Sequence, residues 1–174
     1  GAAATGFLMG GGLTILGQDA KSASATPIVE TSAGKIQGLI QNQVHTFKGV
    51  PYGASTAGAG RFMPPGKPQP WNDVKKTVEF GNRAPQIRAP GGGLVPEAAV
   101  MEWNGPMSEE CLFLNVWTPG VKDNARRPVM VWLHGGGYAN GSSQFTFYDG
   151  TNLAAKHDVV VVGVNHRLNI FGFL

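Results

Sequence analysis

Cysteine is nearly missing from these 174 residues: Cys111 stands alone, so no disulfide can form within the chain. Charge is also sparse, at 14% of residues with a formal net charge of +3. Lys75-Lys76 and Arg126-Arg127 are isolated pairs, which read as solvated charge and not as a nucleic-acid surface. Residues 1–16 carry no charge but are too few to span a bilayer. Histidines 45, 157 and 166 lack ligand spacing, so no metal is expected and structural or surface roles fit them better. What is present is a globular composition, 42% hydrophobic and 9% aromatic, with 26 glycines and 12 prolines that forecast many turns.

The chain opens on Gly1 where a start methionine would stand and stops inside the apolar run "NHRLNIFGFL"; the reading is a piece of a longer protein. The small, apolar residues 1–16 lead through a polar stretch to Ala23-Ser24-Ala25, which fits the small-x-small site of a secretory signal. "GAAATGFLMGG" resembles the core of a bacterial twin-arginine signal, although the arginine pair itself is not in the chain. The expectation is a partial signal peptide over 1–25, a mature domain over 26–174, and export to the periplasm or the exterior. A buried helix or a tail would account for the same composition.

Within 26–174, "PIVETSAGKIQGLI" breaks two short β-rich runs at Ser32-Ala33-Gly34, a hairpin signal. "VHTFKGVPY" predicts a further strand. "GRFMPPGKPQPW" is no phosphate loop, because its glycine spacing is too long and Pro68 stands where Ser or Thr is required. Gly91-Gly92-Gly93 lies among prolines with no strand before it, the setting of a surface loop. "CLFLNVWTP" alternates Leu112, Leu114 and Val116 against Phe113, Asn115 and Trp117, as a strand does. "PVMVWLH" and "DVVVVGVNHR" are continuous apolar runs, the pattern of strands covered on both faces of a largely parallel sheet. "GTNLAAKHD" between them can hold a short helix, which makes the class α/β. No internal repeat or second domain is evident.

The apolar run "VMVWLH" leads directly into Gly135-Gly136-Gly137. Three glycines are entropically expensive to order, so bare backbone must serve a purpose there. Loops leaving the carboxyl ends of parallel strands are where open α/β sheets place ligands. Backbone N–H groups unscreened by Cβ can approach a negative oxygen, as in an acyl-transfer intermediate. A tight turn chosen for backbone freedom alone is the competing reading.

Several stretches in one order narrow the choice. "GVPYG", "GRFMPPGKPQPW", "SEECLFLNVWTP", "HGGGYANGSS", "FYDGTNLA" and "VNHRLNIFGFL" resemble motifs of the type-B carboxylesterases, the family of cholinesterases and bacterial para-nitrobenzyl esterases. The likeness runs over 26–174. It implies the α/β-hydrolase fold, here its N-terminal part: early antiparallel strands plus the first parallel strands of the central mixed sheet. It also implies a serine hydrolase that cleaves small carboxylic esters through an acyl-enzyme, without cofactor or metal, nucleic-acid partner or membrane attachment of the mature form. By the same resemblance Gly136 and Gly137 are the oxyanion-hole donors, and Gly135 shapes the loop. His134 precedes the hole and is not the catalytic histidine. Tyr138 and Trp103 are candidate substrate contacts, with packing as the alternative for Trp103. Arg61 and Glu109 match a structural ion pair.

Two departures stand out. Family members often pair the cysteine of the E-D-C motif with one before a Pro-Gln, but Ala84 holds that place in "GNRAPQ", so Cys111 is expected to be free. Glu110 replaces the usual Asp. The family's serine on a G-x-S-x-G elbow, its acid and its histidine are expected beyond Leu174. "GASTA" at 53–57 imitates the elbow but ends in alanine and has neither a buried strand before it nor a helix after it. A catalytically inactive binding or adhesion protein of the same fold is the alternative function.

Overall fold

The structure is a computed structural model, and it describes residues 23–87 and 105–173. Most of the expected signal segment, the Gly91-Gly92-Gly93 loop and Trp103 lie outside the described residues. Among the described residues nine strands form two sheets: β1 (Ser24–Ala25), β2 (Val29–Glu30), β3 (Lys35–Gln37), β4 (Leu39–Gln41), β5 (Val44–Pro51), β6 (Lys75–Lys76), β7 (Phe113–Thr118), β8 (Val129–Leu133) and β9 (Val160–Val164). The larger sheet has the order β1-β4-β5-β7-β9-β8, and the smaller β2-β3-β6. The hairpin turn falls where the sequence places it: Thr31 N–H donates to Gly34 O at 2.9 Å between antiparallel β2 and β3. Residues 24–25 of the expected cleavage site pair with Leu39 and Ile40, and Thr26 beside them is buried.

The larger sheet is antiparallel from β1 to β9, and only β8 joins it in parallel, through the pairs from Val129↔Val160 to Leu133↔Val164. The return from β8 to β9 runs through α1 (Thr151–His157), the crossover that a parallel pair requires. Asp149 stabilises the start of α1 by accepting the Thr151 N–H at 2.8 Å. Asp158 ends it in a left-handed conformation. Arg127, ion-paired with both Asp123 and Asp158, ties that end to the entry of β8.

Strand β7 shows why the sheet is two-faced. Leu114 and Val116 join Ile36, Phe47 and Val50 beneath the smaller sheet. Trp117 packs from the opposite face with Val44, Ala154 and Val161 under α1. Trp117 is 1% exposed, and truncating such a side chain typically costs about 3–5 kcal/mol. A third cluster of Ala84, Cys111, Leu112 and Leu168 closes the end of the sheet. Cys111 is a free, buried thiol, and β7 begins two residues after it, at Phe113.

Burial of the parallel pair differs from the expectation of cover on both faces. Strand β9 buries only alternate residues, and all five residues of β8 are exposed. Among the described residues β8 is the last strand of the sheet, and α1 packs mainly over β5, β7 and β9.

One irregularity in β5 bears on the site. Its pairing with β7 shifts between Phe47 and Val50, with Gly49 at φ +66°. The bulge frees the Gly49 N–H to donate to Asn115 Oδ1 at 3.0 Å. Asn115 is thereby fixed on the α1 face of β7, facing the loop that follows the three glycines.

Candidate active site

The chain leaves β8 at Leu133 and turns at once. Gly136 at φ +131°, Gly137 at +61° and Tyr138 at +60° follow one another with positive φ, a succession that side chains resist. The turn closes on itself: Gly136 O accepts the N–H groups of Ala139 (3.1 Å) and Asn140 (3.2 Å). A Cβ on Gly136 would lie 1.8 Å from Asn140 O. At the far end, a Cβ on Gly141 would lie 2.4 Å from Gly135 O and 2.5 Å from His134 Nδ1, so residue 141 is backbone packed against the loop's first glycine. Among the described residues, neither the Gly136 nor the Gly137 N–H donates to a protein acceptor. Two adjacent donors at the carboxyl end of a parallel strand, unscreened by side chains, are suited to receiving an anionic oxygen.

His134 is buried beneath this turn. Its Nδ1 lies 2.9 Å from Gly135 O, and a carbonyl can only accept, so Nδ1 carries the proton. The ring stacks on His166 with centroids 4.5 Å apart and 6° between planes. Burial holds the His134 pKa below the ordinary 6.5; the bond to Gly135 opposes this and the His166 charge adds to it. A neutral imidazole whose Nδ1 hydrogen is committed to the backbone braces the loop.

Tyr138 is 65% exposed and keeps its left-handed backbone through two contacts. Asn169 N–H donates to Tyr138 O at 2.8 Å, and the ring meets Phe173 at 4.5 Å. A bulky residue at positive φ costs on the order of 1–3 kcal/mol, offset here by tertiary contacts to the 165–173 segment.

The return limb is fixed by a buried polar network. Asn165 Oδ1 accepts from Ser143 N–H (2.8 Å), Ser143 Oγ (2.9 Å) and Ser142 Oγ (3.2 Å). Asn115 Nδ2 donates to Ser143 Oγ at 3.0 Å. The Asn165 backbone O accepts the Tyr52 hydroxyl at 2.7 Å, and burial pushes that phenol up to about 12. Asn115, Ser142, Ser143 and Asn165 are all at most 2% exposed, the condition under which buried polar groups need full satisfaction. Gln86 completes the support through two hydrogen bonds to Gly141.

Of the residues singled out from sequence, Gly135, Gly136, Gly137 and Tyr138 are contiguous on this turn, with His134 under it. Arg61 and Glu109 form the expected ion pair, with Arg61 Nε donating to Glu109 Oε2 at 2.7 Å. It braces the same region, because Phe62 stacks on Phe171 and Arg167 Nη1 donates to Met63 O. Ser55 of the false elbow donates to Glu110 at 2.8 Å from a loop. Sequence reasoning missed Gln86, Asn115, Ser142, Ser143 and Asn165, and it placed His166 apart from His134. Asn115 alone carried a signal, as a polar residue in the middle of an apolar strand.

Comparison with known proteins points to one family. The family model described as the carboxylesterase family matches residues 25–174. The chain is 40% identical over 147 residues to the para-nitrobenzyl esterase of Bacillus subtilis, covering 84% of the chain and 29% of that protein. It is 38% identical over 168 residues to acetylcholinesterase-1 of Trittame loki, covering 91% of the chain and 29% of that protein. A solved PNB esterase superposes with a TM-score of 0.72 at 39% identity, over 84% of this chain and 28% of the other. The chain thus spans less than a third of the length of these relatives. The mixed sheet is the N-terminal part of an α/β-hydrolase fold, and the chain belongs to the carboxylesterase family.

Proposed function

We propose that the chain is the oxyanion-binding part of a serine carboxylesterase that hydrolyses small-molecule carboxylic esters. The nucleophilic serine, its acid and its histidine belong to sequence beyond Leu174. Serine attack on the ester carbonyl makes a tetrahedral intermediate whose oxygen takes the negative charge. The N–H groups of Gly136 and Gly137 receive that oxygen, and Gly135 shapes the approach. Collapse expels the alcohol and leaves an acyl-serine, which water then hydrolyses through a second oxyanion in the same place. Tyr138, exposed beside the glycines, is the substrate contact of this reading, and Trp103 is either a second contact or a packing residue.

The observation that carries the proposal is the turn at 136–138: adjacent N–H groups without protein acceptors among the described residues, held by a backbone at positive φ. The test is hydrolysis of p-nitrophenyl acetate by the full-length protein and by its Gly136→Pro variant, which removes one N–H and, with φ fixed at about −65°, also forbids the φ of +131° that the turn requires. Loss of one oxyanion donor alone lowers kcat about 10²–10³-fold, and the broken turn adds to that loss. Parent-like turnover in the variant rules out Gly136 as a donor. Absence of turnover in the parent favours the inactive binding protein.

A further inference from the structure

Gln86 contacts the loop in a way that neither its position in the sequence nor the proposed chemistry requires. Its Nε2 donates to Gly141 O at 2.9 Å, and its Oε1 accepts the Gly141 N–H at 2.8 Å. The other Nε2 hydrogen goes to Ala84 O at 3.0 Å. Both hydrogens of this amide are therefore donated to backbone, one of them across a separation of 55 residues to Gly141. The point it grips matters, because residue 141 lies directly against Gly135 O and His134 Nδ1. Gly136 O in turn holds the N–H groups of Ala139 and Asn140. Residues 135–141 form a closed ring of backbone, and Gln86 holds the place where the ring closes.

We infer that Gln86 is a positioning residue for the Gly136 and Gly137 N–H groups, an inference that rests on their proposed role as oxyanion donors. Displacement of Gly141 passes to Gly135 through packed backbone, with no flexible side chain between to absorb it. The network around Asn165 acts one step further away, on Ser142 and Ser143. The chemistry of the contact also selects an amide over an acid. A carboxylate at 86 would still accept from Gly141 N–H, but its second oxygen would face the carbonyls of Ala84 and Gly141 with no hydrogen to offer. Protonation would restore one donor.

The experiment uses full-length protein, p-nitrophenyl acetate, and a trifluoromethyl ketone that forms a tetrahedral adduct with the nucleophile. Gln86→Leu lowers kcat about 10–100-fold, the scale for misplacing a catalytic group by about an ångström, and leaves KM within about 3-fold. Affinity for the ketone falls by the same factor as kcat/KM, since both depend on a stabilised oxyanion. For Gln86→Glu, the ratio of variant to parent kcat rises as pH falls from about 8 to about 5, as the carboxyl takes up its proton. His134 lies against the loop in both proteins, so the ratio is read against the parent's own pH profile. A Gln86→Leu variant with parent-like kcat, or with reduced kcat but undiminished ketone affinity, overturns the inference. If Gln86→Leu does not fold, the Gln86→Glu ratio decides, and a flat ratio overturns the inference. Gly136→Pro in the same assays separates the two levels. If that variant keeps parent activity, the oxyanion reading fails and the inference with it. If it is inactive while the Gln86 variants behave as parent, only the positioning role fails.

Discussion

The three glycines after β8 are not equivalent, and alanine at each of the first two should separate them by sign. At Gly135 a Cβ meets nothing within 4 Å, and φ is not positive. Alanine there chiefly restricts the unfolded chain, which leaves stability unchanged or raises it by about 0.4–1 kcal/mol. At Gly136 the same Cβ would sit 1.8 Å from Asn140 O, where contacts under 3.0 Å essentially never occur. The backbone must therefore yield by more than an ångström. The φ of +131° adds on the order of 1–3 kcal/mol of strain for any residue with a side chain. Because the N–H itself survives in Gly136→Ala, its loss of activity measures displacement alone. A shift of that size lowers kcat/KM about 10²-fold, or about 2.7 kcal/mol in the barrier. Denaturant midpoints and p-nitrophenyl acetate kinetics on the full-length protein give both quantities. The reasoning fails if Gly136→Ala is as stable and active as the parent. It also fails if Gly135→Ala destabilises as much as Gly136→Ala does.

Two further outcomes follow from burial. Asn165→Leu removes the acceptor shared by Ser142 and Ser143 and strands buried donors at about 1–3 kcal/mol each. Stability should drop by about 3 kcal/mol in chemical denaturation, and a loss below about 1 kcal/mol contradicts the network as described. The Cys111 thiol is fully buried and pushed by that burial up to about 11. At a pH of about 8 only about one thiol in a thousand is ionised, and it is out of reach. Ellman's reagent should leave Cys111 untouched in the native protein and label it in denaturant; rapid native labelling contradicts the burial.

The parts legible in the sequence and the parts that were not divide along a physical line. Hydrophobic alternation in β7 and the apolar runs of β8 and β9 place strands, because burial acts residue by residue and leaves a local pattern. Ser32-Ala33-Gly34 marks its hairpin for the same reason, since turn geometry is set within four residues. The glycine loop is legible because its backbone favours glycine at 136 and 137 through positive φ. Burial of the parallel strands is a different matter: an apolar run shows that a strand is suited to being covered, not where its cover lies. Strand β8 is apolar at every position yet exposed at every position.

What holds the glycine loop left almost no trace, because most of its supports join segments distant in sequence. Gln86 lies 55 residues from Gly141, and Asn115 lies 28 from Ser143. A glutamine after Pro85 in an irregular stretch has the same local appearance whether it clamps a backbone or faces water. Yet the supports matter energetically. A loop with three successive positive φ values and unpaired N–H groups has little reason to keep its shape alone. Pre-organised donors stabilise a developing charge only because their reorganisation has already been met during folding. In this chain that cost is carried by the Asn165 network, the His134–His166 stack and the Gln86 amide, side chains that touch no substrate in the proposed mechanism. The glycines give the loop its freedom of conformation, and these distant polar residues remove that freedom again in one chosen geometry.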